Sequence, residues 1–133
     1  MNETINDFED VFLDNFTVNS VDRTKEQYFT PSNGYPALCE DPTTYDPDTA
    51  GLGKNFKDGS FKFSFVYYEQ IPSDDDVDMT SFLDKVKEIA KELTTSSKLN
   101  AKYNFNVSVN FPKKKRYDNE DFKAIFTISG EVI

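Results

Sequence analysis

Residues 101–111 read AKYNFNVSVNF. Tyr103, Phe105, Val107, Val109 and Phe111 alternate there with Lys102, Asn104, Asn106, Ser108 and Asn110. Period two over such a run puts the two sets on opposite faces of a β-strand, one apolar and one polar. Residues 61–71, FKFSFVYYEQI, have the same period. Phe61, Phe63, Phe65, Tyr67 and Ile71 share one face, and Lys62, Ser64, Tyr68 and Gln70 the other. Val66 intrudes on the polar face and Glu69 on the apolar one, and Pro72 ends the strand. In residues 121–132, Phe122, Ala124, Phe126 and Ile128 alternate with Lys123, Ile125 and Thr127. The intervening PKKKRYDNE, 112–120, predicts a hairpin with a long charged tip.

Between the first two runs lies a helix. Over residues 79–94, Phe82, Leu83, Val86, Ile89, Ala90 and Leu93 form one stripe, and Asp84, Lys85, Lys87, Glu88, Lys91 and Glu92 form the wet side. Ser81 and Asp84 have the spacing of a capping box, with Asp in place of Glu. Near the N-terminus, TINDFEDVFLDNF (4–16) spaces Ile5, Phe8, Val11, Phe12 and Phe16 as a short amphipathic helix capped by Thr4 or Asn6. Packing of that helix within the domain is preferred to docking on a neighbour, and its expected place is at a sheet edge or on a neighbour. Residues 17–30 are mixed, with Tyr28-Phe29 opening a short strand. Residues 31–60 are rich in Pro and Gly and read as an irregular loop or arm, apart from a brief strand around Tyr35 to Cys39. The expectation is one α+β domain over 1–133. It has an antiparallel sheet of about four strands, an amphipathic helix on one face and a short N-terminal helix.

Composition narrows the function. A chain of 133 residues suits one domain, and its 13 Phe and 7 Tyr supply large core side chains although mean hydropathy is −0.65. Net charge is −9. Residues 1–60 carry 12 acidic against 4 basic side chains, and residues 61–133 carry 12 against 11. A negative field argues against phosphate-backbone binding as the main task. With no His and one Cys, the chain has no internal disulfide, no His-based zinc site, no Cys–His pair and no Ser–His–Asp triad. Cys39 reads as a small apolar residue. No signal peptide and no membrane span are predicted, and the sequons at Asn2, Asn15 and Asn106 read as chance.

The remaining motifs weigh towards plain roles. Asp74, Asp75, Asp76 and Asp78 include a D-x-D-x-D spacing, but an EF-hand needs Gly and Glu where Met79 and Lys85 stand. A solvated acidic loop ahead of a helix is preferred, and no metal or cofactor is expected. Lys113, Lys114, Lys115 and Arg116 resemble an import or phosphate-contact patch, yet Asp118, Glu120 and Asp121 follow at once. A soluble hairpin tip is preferred there, and contact of this basic tip with an acidic partner or DNA stays open, so these residues remain candidate interaction residues, as do Asp74, Asp75 and Asp76. Gly51-Leu-Gly53-Lys54 lacks the spacing of a phosphate loop. The most informative feature is the face bearing Asn104, Asn106, Ser108 and Asn110. Short neutral hydrogen-bonding groups suit a surface that meets another subunit or the chain's own loops. An enzyme is the least favoured class.

The element order resembles that of the tail-terminator and minor-capsid (tail-completion) proteins of long-tailed bacteriophages. An acidic N-terminal helix precedes an arm with Gly34-Tyr35-Pro36, an aromatic strand (61–71) and an amphipathic helix (80–94). A hairpin closes it, ending Phe126-Thr127-Ile128-Ser129-Gly130-Glu131-Val132-Ile133. The resemblance covers most of the chain. It implies a non-enzymatic virion protein, assembled in the host cytoplasm, that forms a homo-oligomeric ring capping the tail tube and facing the head connector. It implies no membrane and no sequence-specific nucleic acid. An acidic ring around a DNA conduit would repel the passing backbone. The alternative is a small acidic inhibitor or adaptor that mimics nucleic acid on a basic partner.

Overall fold

The structure, a computed structural model, describes residues 2–24, 29–40, 60–69, 79–111 and 122–133. It is α+β, with helices α1 (Asn2–Asn15), α2 (Met79–Thr95) and α3 (Ser97–Lys102). The strands are β1 (Ser20–Asp22), β2 (Ala37–Cys39), β3 (Ser60–Glu69), β4 (Tyr103–Asn110) and β5 (Phe122–Val132). They form one five-stranded sheet in the order β1-β2-β3-β5-β4.

The expected antiparallel sheet of about four strands is corrected to a mixed sheet of five. β1 and β2 run parallel, with Ser20 opposite Ala37 and Asp22 opposite Cys39. The connection 23–36 is long enough to carry the chain back to the start of the next strand, as parallel pairing requires. Its last turn is pinned from β1: Ser20 Oγ donates to the Gly34 carbonyl at 2.7 Å and accepts from Asn33 N–H at 2.7 Å. Gly34 takes φ +83°, the left-handed region that glycine enters without a Cβ penalty, and Tyr35-Pro36 is cis. The arm 31–60 is thus structured over its first part, and residues 41–59 lie outside the described residues.

β3 and β4 are not neighbours. β5 lies between them and pairs antiparallel with both, Phe65 opposite Phe126 and Val109 opposite Phe126. The path β3-α2-α3-β4 therefore crosses over one strand, a split βαβ arrangement. The strand expected from 101 begins instead at Tyr103. Ser96 caps α3, its Oγ accepting from Leu99 N–H at 3.3 Å, and Leu99 is buried. That local capping and one anchored Leu hold Ala101 and Lys102 in helix, against their place in the alternation. The helix expected over 79–94 spans Met79–Thr95, and Ser81 lies inside its first turn rather than capping it. Likewise α1 begins before Thr4 and Asn6, and Thr4 is buried beside the Tyr103 hydroxyl.

The core lies between one sheet face and the helices. Ile5, Phe8, Val11, Phe12 and Phe16 of α1 and Phe82, Val86, Ile89 and Leu93 of α2 are buried against Phe61, Phe63, Phe65, Tyr67, Phe126 and Ile128. The apolar periods read from the sequence in α1, α2 and β3 give the buried faces, whereas on β4 Tyr103 is buried, Phe105, Val107 and Val109 are half-buried and Phe111 is exposed. Phe8 makes edge contacts with Phe63 at 5.5 Å and Phe105 at 5.0 Å between ring centroids. Phe82 stacks on Tyr67 at 6.1 Å and Phe122 at 5.2 Å. Tilted and edge-on aromatic pairs add to the area they bury. α1 lies beside α2 over the sheet rather than at an edge, and Lys85 of α2 sits 5.1 Å above the Phe16 ring.

Candidate interaction surface

The opposite face of the sheet divides into two parts. At the β2 corner, Ala37, Cys39, Val66 and Tyr68 form a second buried cluster, covered by Phe29 and Tyr35 and bordered by Ile125. Phe29 stacks on Tyr68 with centroids 5.0 Å apart. Tyr68, expected on a polar face, is therefore core, and Val66 is no intruder. Cys39 is buried there as a small apolar residue, its Sγ 3.5 Å from the Thr24 carbonyl.

The other part is polar. Register across β4, β5 and β3 sets out the rows Asn104–Glu131–Ser60, Asn106–Ser129–Lys62 and Ser108–Thr127–Ser64. Asn104, Asn106, Ser108 and Asn110 are all exposed. Ser64 and Thr127 share a hydroxyl hydrogen bond of 3.0 Å. The side chains of Asn104, Asn106 and Asn110 make no hydrogen bond to a described residue, so their amides are turned to whatever lies outside. Ser60, Asn100, Asn104, Asn106, Gly130 and Glu131 line a shallow open groove of about 510 Å³. Gly130 is required on its floor: a Cβ there would lie 2.1 Å from the Asn104 carbonyl oxygen and 2.7 Å from Phe105 Cα.

Lys113, Lys114, Lys115 and Arg116, and Asp74, Asp75 and Asp76, lie outside the described residues. Among the described residues no group of three His, Cys, Asp or Glu is placed to hold a metal ion, and no helix is long and apolar enough to cross a membrane.

Two charged clusters escaped the sequence reading because their members are far apart in the chain. Arg23 Nε donates to Glu40 and its Nη2 to Glu9, each at 2.9 Å, and Nη2 also reaches Asn6. This ties α1 to the end of β2. The hydrogen bond to Glu40 raises the Arg23 pKa. Burial raises that of Glu40 despite the guanidinium beside it. On the other side, Lys102 Nζ donates to Asp7 at 2.7 Å, and the Tyr103 hydroxyl donates to the same carboxylate. Burial works to raise the Asp7 pKa, but these two donors outweigh it and hold it below the usual value. Lys102 is raised, chiefly by its bond to Asp7. The clusters fasten the first half of α1, through Asn6 and Glu9 to Arg23 and through Glu3 and Asp7 to Lys102, and are accounted for by that role.

No family model, no curated protein and no solved structure matches the chain.

Proposed function

We propose that this chain is a non-catalytic assembly protein that works through contacts with other protein subunits. The observation that supports this is the exposed, charge-poor Asn/Ser surface of β4 beside an edge with no neighbouring strand among the described residues. A face held only by solvent usually carries Lys and Glu. Amides and hydroxyls satisfy a partner's polar groups at little desolvation cost. The specific form we propose is the one implied by the phage tail-terminator resemblance: a virion protein forming a ring between tail tube and head connector. The alternative, a nucleic-acid mimic, has less support. A mimic needs a dense array of free acid, whereas Asp7, Glu9, Asp10 and Glu40 are all engaged by Arg23, Lys98 or Lys102.

Light scattering on a size-exclusion column, followed by negative-stain electron microscopy, tests this reading. Self-association, with closed rings in the images, is the expected result. A chain that stays monomeric at every concentration and displaces DNA from a basic protein overturns it in favour of the mimic.

A further inference from the structure

We infer that the free edge of β4 is a self-recognition site, which pairs antiparallel with β4 of a second copy about a two-fold axis at Val107. The inference rests on the assembly reading above and names the partner.

The backbone determines which residues face the edge. Ile133 N–H donates to the Lys102 carbonyl at 2.9 Å, one step before the paired residues Tyr103 and Val132. In an antiparallel ladder the bonded pairs alternate, so Asn104, Asn106, Ser108 and Asn110 turn their N–H and C=O groups to β5. Phe105, Val107 and Val109 turn theirs outwards. The Tyr103 N–H is already used by the Leu99 carbonyl. Among the described residues nothing pairs with the donors and acceptors of these three successive outward residues.

Edges are normally protected by charge, Pro, bulges or shortness. β4 runs from Tyr103 to Asn110 with no charged residue, Pro or Gly. The opposite edge, β1, does have such protection. It is three residues long and ends in Asp22, whose carboxylate takes the Ser32 hydroxyl at 3.3 Å. A head-to-tail contact between β4 and β1 would therefore be short, whereas β4 against β4 uses the whole free strand.

The side chains are arranged for that pairing. Outward residues must meet outward residues, so the two-fold axis passes at a residue position rather than between two. Of these positions Val107 is the centre that pairs Phe105, Val107 and Val109 among themselves, without calling on the Tyr103 N–H already used in α3. Centred on Val107, the register sets Phe105 opposite Val109, Asn106 opposite Ser108 and Asn104 opposite Asn110 of the second copy. The alternation makes apolar meet apolar and polar meet polar in this register. Roughly six backbone hydrogen bonds would form. On one face the half-buried Phe105, Val107 and Val109 would complete each other's cover; on the other, amides would meet amides and hydroxyls. No charge faces its own copy along the strand, so a chain of net charge −9 meets no like pair there. A two-fold pair is closed, so any larger ring built on it holds an even number of chains.

The full chain is tested by light scattering across a wide concentration range, with circular dichroism to confirm the fold. Wild type is expected at even multiples of the monomer mass. Val107→Pro removes an outward N–H without costing a bond to β5, and is expected to give monomer. Asn106→Lys with Ser108→Lys sets lysines face to face across the axis, and should weaken the pair by at least about tenfold. Asn106→Asp with Ser108→Lys sets opposite charges face to face in this register, and should restore it. Self-association that ignores all three variants overturns the edge assignment while leaving the assembly reading standing. Monomeric wild type overturns the self-recognition. So does capture of an extended segment of another protein by an otherwise monomeric chain.

Discussion

Phe8→Ala separates the packing role of α1 from any docking role. Phe8 is fully buried, with ring centroids of Phe61, Phe63, Tyr103 and Phe105 at 6.1, 5.5, 5.6 and 5.0 Å. Truncating a buried Phe costs about 3–5 kcal/mol through lost transfer energy and the cavity left behind. Four aromatic neighbours, each worth about 0.5–1.5 kcal/mol beyond area, put this site at the upper part of that range. The neighbours come from β3 and β4, too rigid to collapse into the space. The same helix supplies the control, since Leu13 is 39% exposed and Leu13→Ala should cost under about 0.5 kcal/mol. Urea titration followed by far-UV circular dichroism measures both. Because such a domain has only about 5–15 kcal/mol in total, Phe8→Ala should move the midpoint far to lower urea. If the two variants have equal effects, or Phe8→Ala costs less than about 1 kcal/mol, α1 is not fastened to the sheet as described.

Other perturbations test other parts. Val86 lies 1% exposed at the helix–sheet contact, so Val86→Asp should abolish cooperative folding by burying an unpaired charge; a sharp thermal transition in the variant would refute this. Gly130→Ala should destabilise by about 1–3 kcal/mol, because the new methyl meets backbone atoms that cannot rotate away; an unchanged urea midpoint would refute the close approach of β4 and β5. Asp7 has a depressed folded pKa, so its contribution is present above the unfolded value and lost as pH falls through the folded one. The melting-temperature gap between wild type and Asp7→Asn should therefore close on acidification, and a gap independent of pH would contradict it. Glu40 is raised, so its contribution is present below the unfolded pKa and lost as pH rises through the folded one. Glu40→Gln should gain on wild type as pH rises, and a constant difference would count against it.

Much of the scaffold was legible locally. The alternation of Phe61, Phe63, Phe65 and Tyr67, and the stripe Phe82, Val86, Ile89 and Leu93, each names a buried face without reference to the rest of the chain. The Asn/Ser side of β4 was legible for the same reason. What misled was also local. Ala101 and Lys102 continue the strand's alternation, yet Ser96 and Leu99 hold them in α3. Tyr68 sits at a polar parity, yet Phe29 covers it from a distant segment. Arg23, Glu9 and Glu40 show no spacing that would join them.

The sequence by itself determined which residues of α1, α2, β3, β4 and β5 face the main core, because period and side-chain type are properties of the segment alone. Only the tertiary structure decided that β5 separates β3 from β4, that β1 and β2 run parallel, and that β4 is left at the edge. Pairing depends on which segments meet across the chain, and the same alternating pattern satisfies many neighbours. The self-recognition proposed for β4 therefore draws on both: an uncharged alternation visible in the residues, and an edge, open among the described residues, that exists only once the sheet is assembled.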